Sequence, residues 1–127
     1  MKLTEFKEQQ LTKNFRKEEF VCKCGCGRNE MDMNFIHKLQ HARDIAGIPF
    51  VITSGFRCPP HNEAVHGSMD SSHMLGLAAD IACDGDEDRY CILNALRKAA
   101  FSRIGMRKDF IHVDDDTDKK MKVLWLY

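Results

Sequence analysis

The sequence predicts an α+β domain, with a small, mainly antiparallel sheet and helices packed on one side. Three observations carry that prediction. Apolar residues recur at helical spacing in two segments, one through Phe35, Ile36, Leu39 and Ala42, the other through Ile92, Leu93, Leu96 and Ala99. Short β-branched or apolar runs alternate with them, at 50–53, 77–82, 103–106, 110–113 and 123–126. Two of these runs are joined by a tight turn at Arg107-Lys108, which requires an antiparallel pair.

Taken in order, residues 1–20 are charged and weakly patterned and read as loop with a helical turn. Val21 to Arg28 places two glycines among three cysteines and reads as irregular. The first helix starts near Met31, capped by Asn29 or Asp32. Gly47 ends it and Pro49 prevents its resumption. Phe50-Val51-Ile52-Thr53 is a buried strand. Gly55 to Gly76 is a long surface excursion rich in Gly, Pro, Ser, His and Asn, with a short helix after Pro59-Pro60. Long excursions inside compact domains tend to carry function. Leu77 to Ala82 is the second strand. Asp84-Gly85-Asp86 offers the N-cap of a helix of about 14 residues. The late hairpin and a last strand at Val123-Leu124-Trp125-Leu126 complete the set.

The chain has 127 residues, the size of one domain, and is read as a single unit over 1–127 with a lead-in over 1–30 that holds the cysteine cluster. Lys+Arg and Asp+Glu both number 19, so no net charge draws it to nucleic acid or to an anionic membrane. No apolar run reaches the roughly 20 residues of a membrane span. The charged start, Met1 to Glu8, has no apolar stretch of a secretory signal, so synthesis in a cytoplasm is expected. Six cysteines in that setting read as free thiols rather than a disulfide scaffold. The Cys22, Cys24, Cys26 steps offer a second chelate, but they lack the second Cys or His pair of a zinc knuckle. Packing of some of them under the first helix is the preferred reading. A cysteine-rich metal or redox protein built on that segment is a minor alternative.

The chemistry sits on polar residues within apolar strand patterns. Asp80 is flanked by Ala79 and Ile81, and His112 by Ile111 and Val113, while His73 lies just before the second strand. A carboxylate and an imidazole there are costly unless something neutralises them. Two imidazoles and one carboxylate suit zinc with an open fourth position for water. A satisfied core histidine and a turn aspartate explain the same residues. Asp109, three before His112, falls on the opposite face in strict alternation, but a hairpin corner can swing it to the metal edge, where a carboxylate can serve as general base. It is equally a plain turn residue. Arg57, just after a strand, can hold a carboxylate or an oxyanion, or can lie in a solvated turn. The Asp114-Asp115-Asp116 and Asp118 run reads as a solvated turn, as a patch that repels anionic polymers, or as a cation site, and the residues leave these open.

Ser54-Gly55-Phe56-Arg57-Cys58-Pro59, Asn62, Ser71-x-His73-x-x-Gly76-x-Ala78-x-Asp80 and Phe110-Ile111-His112-Val113-Asp114 together resemble the zinc D-alanyl-D-alanine carboxypeptidase family of peptidoglycan peptidases. That family shares its fold with the hedgehog signalling domain and includes phage endolysins. The lead-in from Phe20 to Gly27 and the terminal Trp125-x-Tyr127 carry the resemblance further. It implies that His73, Asp80 and His112 are the ligands of one zinc per chain. It also implies that Asp109 is the general base, that Arg57 stabilises the scissile carbonyl, and that Ser71 helps hold the substrate. The implied substrate is a peptidoglycan stem peptide, cut at D-Ala-D-Ala or at a bond such as L-Ala-D-Glu. With no signal visible, the expected setting is a phage lysin released through a holin or carried in a virion, or else a cytoplasmic recycling or accessory peptidase, acting as a monomer. A non-catalytic zinc-containing binding module of the same fold is the alternative. The chain departs from the pattern at Val65-His66-Gly67, where relatives carry Val-Gly-Gly. His66 and His61 are read as loop residues, and His37 and His41 as surface residues of the first helix.

Overall fold

The computed structural model describes residues 1–127. Helix α1 runs over Met33–Ala46, and the Asp32 side chain caps it by accepting from Phe35 N. Gly47 closes it in the left-handed conformation at φ 70°. Strand β1 (Ile52–Ser54) leads into the excursion, which holds helix α2 (Pro59–Ala64) and a 3-10 turn at Ser72–Leu75. Strand β2 (Ala78–Ala82), helix α3 (Asp86–Lys98) and strands β3 (Arg103–Met106), β4 (Phe110–Asp114) and β5 (Val123–Leu126) follow. Helix α3 begins after Gly85, which has no capping side chain. Asp86, Glu87 and Asp88 supply negative charge to its first turn instead.

The sheet order is β1-β2-β4-β3-β5. The first three pairings are antiparallel and β5 joins β3 in parallel, so the sheet is mixed at one edge. The predicted α+β class stands. The lead-in is more ordered than its composition suggests. It makes two 3-10 turns, and Leu3, Leu11, Phe15 and Phe20 are buried in the main core.

Strand alternation separates the two faces of this sheet. Ile81 pairs with Ile111, Ala79 with Val113, and Ile104 with Val113. These side chains join Phe35, Ile36, Leu39, Ile92 and Leu96 in one core beneath α1 and α3. The other face carries a polar row. Asp80 pairs with His112, His112 with Gly105, and Gly105 with Trp125, so one transverse line crosses four strands. Beside it, Asp114 pairs with Ala78 on one side and Arg103 on the other. An apolar face anchored by two helices thus holds a polar face rigid.

Candidate metal centre

His73 arrives from the excursion, Asp80 from the middle of β2 and His112 from the middle of β4. All three are buried, at 3%, 7% and 7% exposure. His73 Nε2 lies 3.2 Å from Asp80 Oδ1, and His112 Nδ1 lies 2.9 Å from the same oxygen. Tetrahedral zinc with bonds of about 2.0–2.1 Å separates its ligand atoms by about 3.3 Å. Both separations from Asp80 Oδ1 therefore sit near the spacing such an ion requires, and all three donor atoms lie within 4.8 Å of one another.

The second nitrogen of each ring fixes which atom faces the centre. His73 Nδ1 lies 2.8 Å from the Gly55 carbonyl, which can only accept, so Nδ1 carries the proton and Nε2 keeps its lone pair. His112 Nε2 lies 2.7 Å from Asp114 Oδ2, and donation there leaves Nδ1 free to bind. Such outer partners set ring orientation and raise ligand basicity. The donor set, its spacing and its tautomers all fit a zinc ion.

Charge balance is tight. Burial disfavours the Asp80 carboxylate, but in the metal-free chain protons on the His112 and His73 nitrogens that face it, the ones an ion would replace, outweigh burial and hold the group well below the usual carboxylate range. Burial likewise opposes charge on His112, yet Asp114 and Asp80 push its pKa up. Two carboxylates thus favour a positive charge between them, and a cation binding there takes the place of that proton.

The centre forms the floor of a cavity of about 440 Å³. Residues of the excursion make one wall, among them His66, Ser68 and Ser71, and Trp125 and Tyr127 make another. Arg57 reaches in, with a guanidinium nitrogen 3.8 Å from Asp80 Oδ2. Asn62 Oδ1 accepts from Arg57 Nη1 at 3.0 Å, and Ser54 Oγ from Nη2 at 3.3 Å. Ser71 Oγ accepts from His73 N at 3.3 Å and so caps the turn that carries His73. His37 and His41 are exposed on α1.

Asp109 is not brought to this site. Cavity-facing positions on β4 are Phe110, His112 and Asp114, so Asp109 has the opposite parity and the hairpin corner does not turn it round. Its side chain is 74% exposed, 3.5 Å from Arg107 Nε, and faces a different hollow beside Cys83 and Asp84.

The acidic run is also not a solvated turn. Asp114 and Asp116 are 1% and 3% exposed. Asp114 receives Arg103 Nε at 2.6 Å besides binding His112, and Asp116 accepts from Ser72 Oγ at 2.8 Å. The signal for Asp114 was available in the sequence, because it stands two residues from His112 and shares its strand face. An Asp114→Asn variant should weaken metal binding by about 10- to 100-fold, because the carboxylate that fixes the His112 tautomer is gone. Competition against a chelator measures this, and an unchanged affinity would remove Asp114 from that role.

A family model, Peptidase M15, matches residues 13–114, well over half of the chain. The chain belongs to the M15 peptidase family. The match spans the excursion, β2 and β4, and so includes His73, Asp80 and His112. It stops at the end of β4, so β5 with Trp125 and the terminal Tyr127 lie beyond it. An M15 peptidase is a hydrolase of the zinc-dependent, D-Ala-D-Ala carboxypeptidase-like kind, and the α+β sheet described above is consistent with that domain. No curated protein matches the chain. No helix is long and apolar enough to cross a membrane.

Proposed function

We propose that this protein is a zinc peptidase that hydrolyses a peptide bond in the stem peptides of peptidoglycan. The observation that carries the reading is the convergence of His73 Nε2, Asp80 Oδ1 and His112 Nδ1 on the floor of an open cavity, with Arg57 beside them. Zinc held by these three supplies Lewis acidity toward a carbonyl oxygen and makes water a usable nucleophile near neutral pH. Arg57, aimed by Asn62 and Ser54, is placed to donate to the oxygen on which charge develops. Arg103, Arg107 and Lys119 also line the cavity, which suits a substrate rich in carboxylates, as stem peptides are. Ser71 lies on the same wall and supports a backbone or carboxylate contact.

The bond cut is D-Ala-D-Ala or an internal one such as L-Ala-D-Glu, and a phage lysin released through a holin or carried in a virion is the setting this activity fits. Mass spectrometry of products from a defined stem peptide, with and without chelator, tests the reading. Chelator-sensitive cleavage supports it, and its absence overturns it. One observation favours the alternative of a non-catalytic zinc-containing module: the carboxylate expected as general base faces away. We assign the proton to the cavity wall instead, where His66 is the one imidazole outside the donor set. Asp109→Asn should then keep its rate within about twofold, as an exposed substitution. His66→Gln should lose about 10²-fold in kcat. The opposite pair of results would return the role to Asp109.

A further inference from the structure

A second cluster of metal-ligating side chains stands apart from the peptidase centre. Cys22, Cys24 and Cys26 come from the lead-in loop, and Cys58 comes from the residue just before α2. Their sulfur atoms all lie within 4.8 Å of one another. Cys22 Sγ is 3.5 Å from Cys24 Sγ and 3.6 Å from Cys58 Sγ, and Cys24 Sγ is 3.6 Å from Cys58 Sγ. These are non-bonded distances, far from the ~2.05 Å of a disulfide. Four thiolates on a tetrahedral zinc, at bonds of about 2.3 Å, stand about 3.8 Å apart. The fourth ligand that the Cys-x-Cys steps lack in the sequence is therefore supplied from 32 residues away.

The backbone is arranged for sulfur. Cys58 N–H donates to Cys22 Sγ at 3.4 Å, and Arg28 N–H donates to Cys26 Sγ at 3.4 Å. Gly25 and Gly27 take the left-handed conformation at φ 87° and 81°, which curls the loop where the alternate residues Cys22, Cys24 and Cys26 cluster. Cys22 and Cys58 are buried, while Cys24 and Cys26 are exposed, so an ion can enter from solvent.

We propose that Cys22, Cys24, Cys26 and Cys58 hold a second zinc ion in a closed, structural four-thiolate site that clips the lead-in to the start of α2. Each thiol releases its proton to solvent as the ion binds. Four protein ligands leave no open position, so the site is structural rather than catalytic. What it secures is adjacent to the peptidase centre. Arg57 precedes Cys58, its N–H donates to the His73 carbonyl at 3.2 Å, and Phe56 N–H donates to the Phe20 carbonyl at 2.9 Å. The clip therefore ties the segment that carries Arg57 to the lead-in on which it rests.

The site does not depend on the peptidase reading, and its test keeps the two apart. Metal analysis of the zinc-loaded full chain should find one zinc fewer per chain in the Cys24→Ser/Cys26→Ser variant than in the wild type, with a lower midpoint of thermal unfolding. The His73→Ala variant should keep this zinc whatever becomes of the other. Should the cysteine variant fail to fold, cobalt added to the wild-type chain gives an independent readout. Intense thiolate-to-cobalt charge transfer that survives in His73→Ala supports the site. Equal zinc content in wild type and cysteine variant would overturn it. So would free reaction of all four thiols with alkylating agent in the zinc-loaded native protein, or a mass showing disulfides in protein purified without oxidant.

Discussion

His73→Ala should remove the peptidase-centre zinc and lower stem-peptide hydrolysis by at least about 10³-fold, the scale of losing a metal's charge stabilisation. The reason lies in the geometry. His73 is 3% exposed, its Nδ1 is committed to the Gly55 carbonyl, and its Nε2 faces Asp80. Alanine leaves Asp80 and His112 as a two-ligand remnant, too few to hold zinc firmly. Zinc stoichiometry and rate should fall together while far-ultraviolet circular dichroism stays native. The exposed His37→Ala change on α1 is the control and should alter neither. A His73→Ala protein with wild-type zinc content and rate would show that the centre lies elsewhere.

Gly76→Ala should be the most destabilising single methyl group in the chain. Gly76 ends the turn that carries His73, at φ 72°, a conformation that costs a residue with a Cβ about 1–2 kcal/mol. A Cβ there would also lie 2.0 Å from the Glu30 carbonyl oxygen and 2.8 Å from Met31 Cα, and both are backbone. Neither can swing aside as a side chain can. The Gly76 carbonyl accepts from Asp32 N at 2.9 Å, so the two chain segments are locked at this separation. We expect a loss of about 3 kcal/mol or more and a fall in Tm of roughly 10 °C or more. Gly47→Ala separates the two causes. Gly47 has nearly the same φ, 70°, with nothing within 4 Å of an added Cβ. It should show the conformational cost alone, measured by denaturant or thermal unfolding. Equal losses at both positions would mean that the close approach at Gly76 contributes nothing.

The two changes act on one hinge of the design. Gly76 lets the excursion press against the lead-in, and that contact presents His73 to Asp80. Stability and metal binding are coupled through the same few residues, so zinc should raise the Tm of the wild type and not of His73→Ala by way of this centre.

Much of this was legible beforehand, for local reasons. Helix α1 follows from its apolar spacing, an Asp cap and a terminating Gly, each an interaction within a few residues. Asp80 and His112 stood out because a polar residue in an apolar strand needs a partner. The partners themselves are non-local. Asp109 and Asp114 are both acids beside His112; the residues alone left Asp109 open between base and turn, and the resemblance gave it the role of base. Strand parity sends Asp114 to the cavity and Asp109 to the opposite side. Cys58 is a further case, because nothing near it in the chain marks it as the companion of Cys22, Cys24 and Cys26.

The sequence by itself determined the α+β class and the element order, because periodicity is written locally, while burial cost only marked Asp80 and His112 as polar residues in need of a partner and the family resemblance grouped them with His73. Only the tertiary structure decided which second atoms hold those rings, which acid stands behind His112, and that a thiol 32 residues on completes the cysteine cluster. Those depend on sheet register and loop closure, which bring together atoms that no local pattern relates.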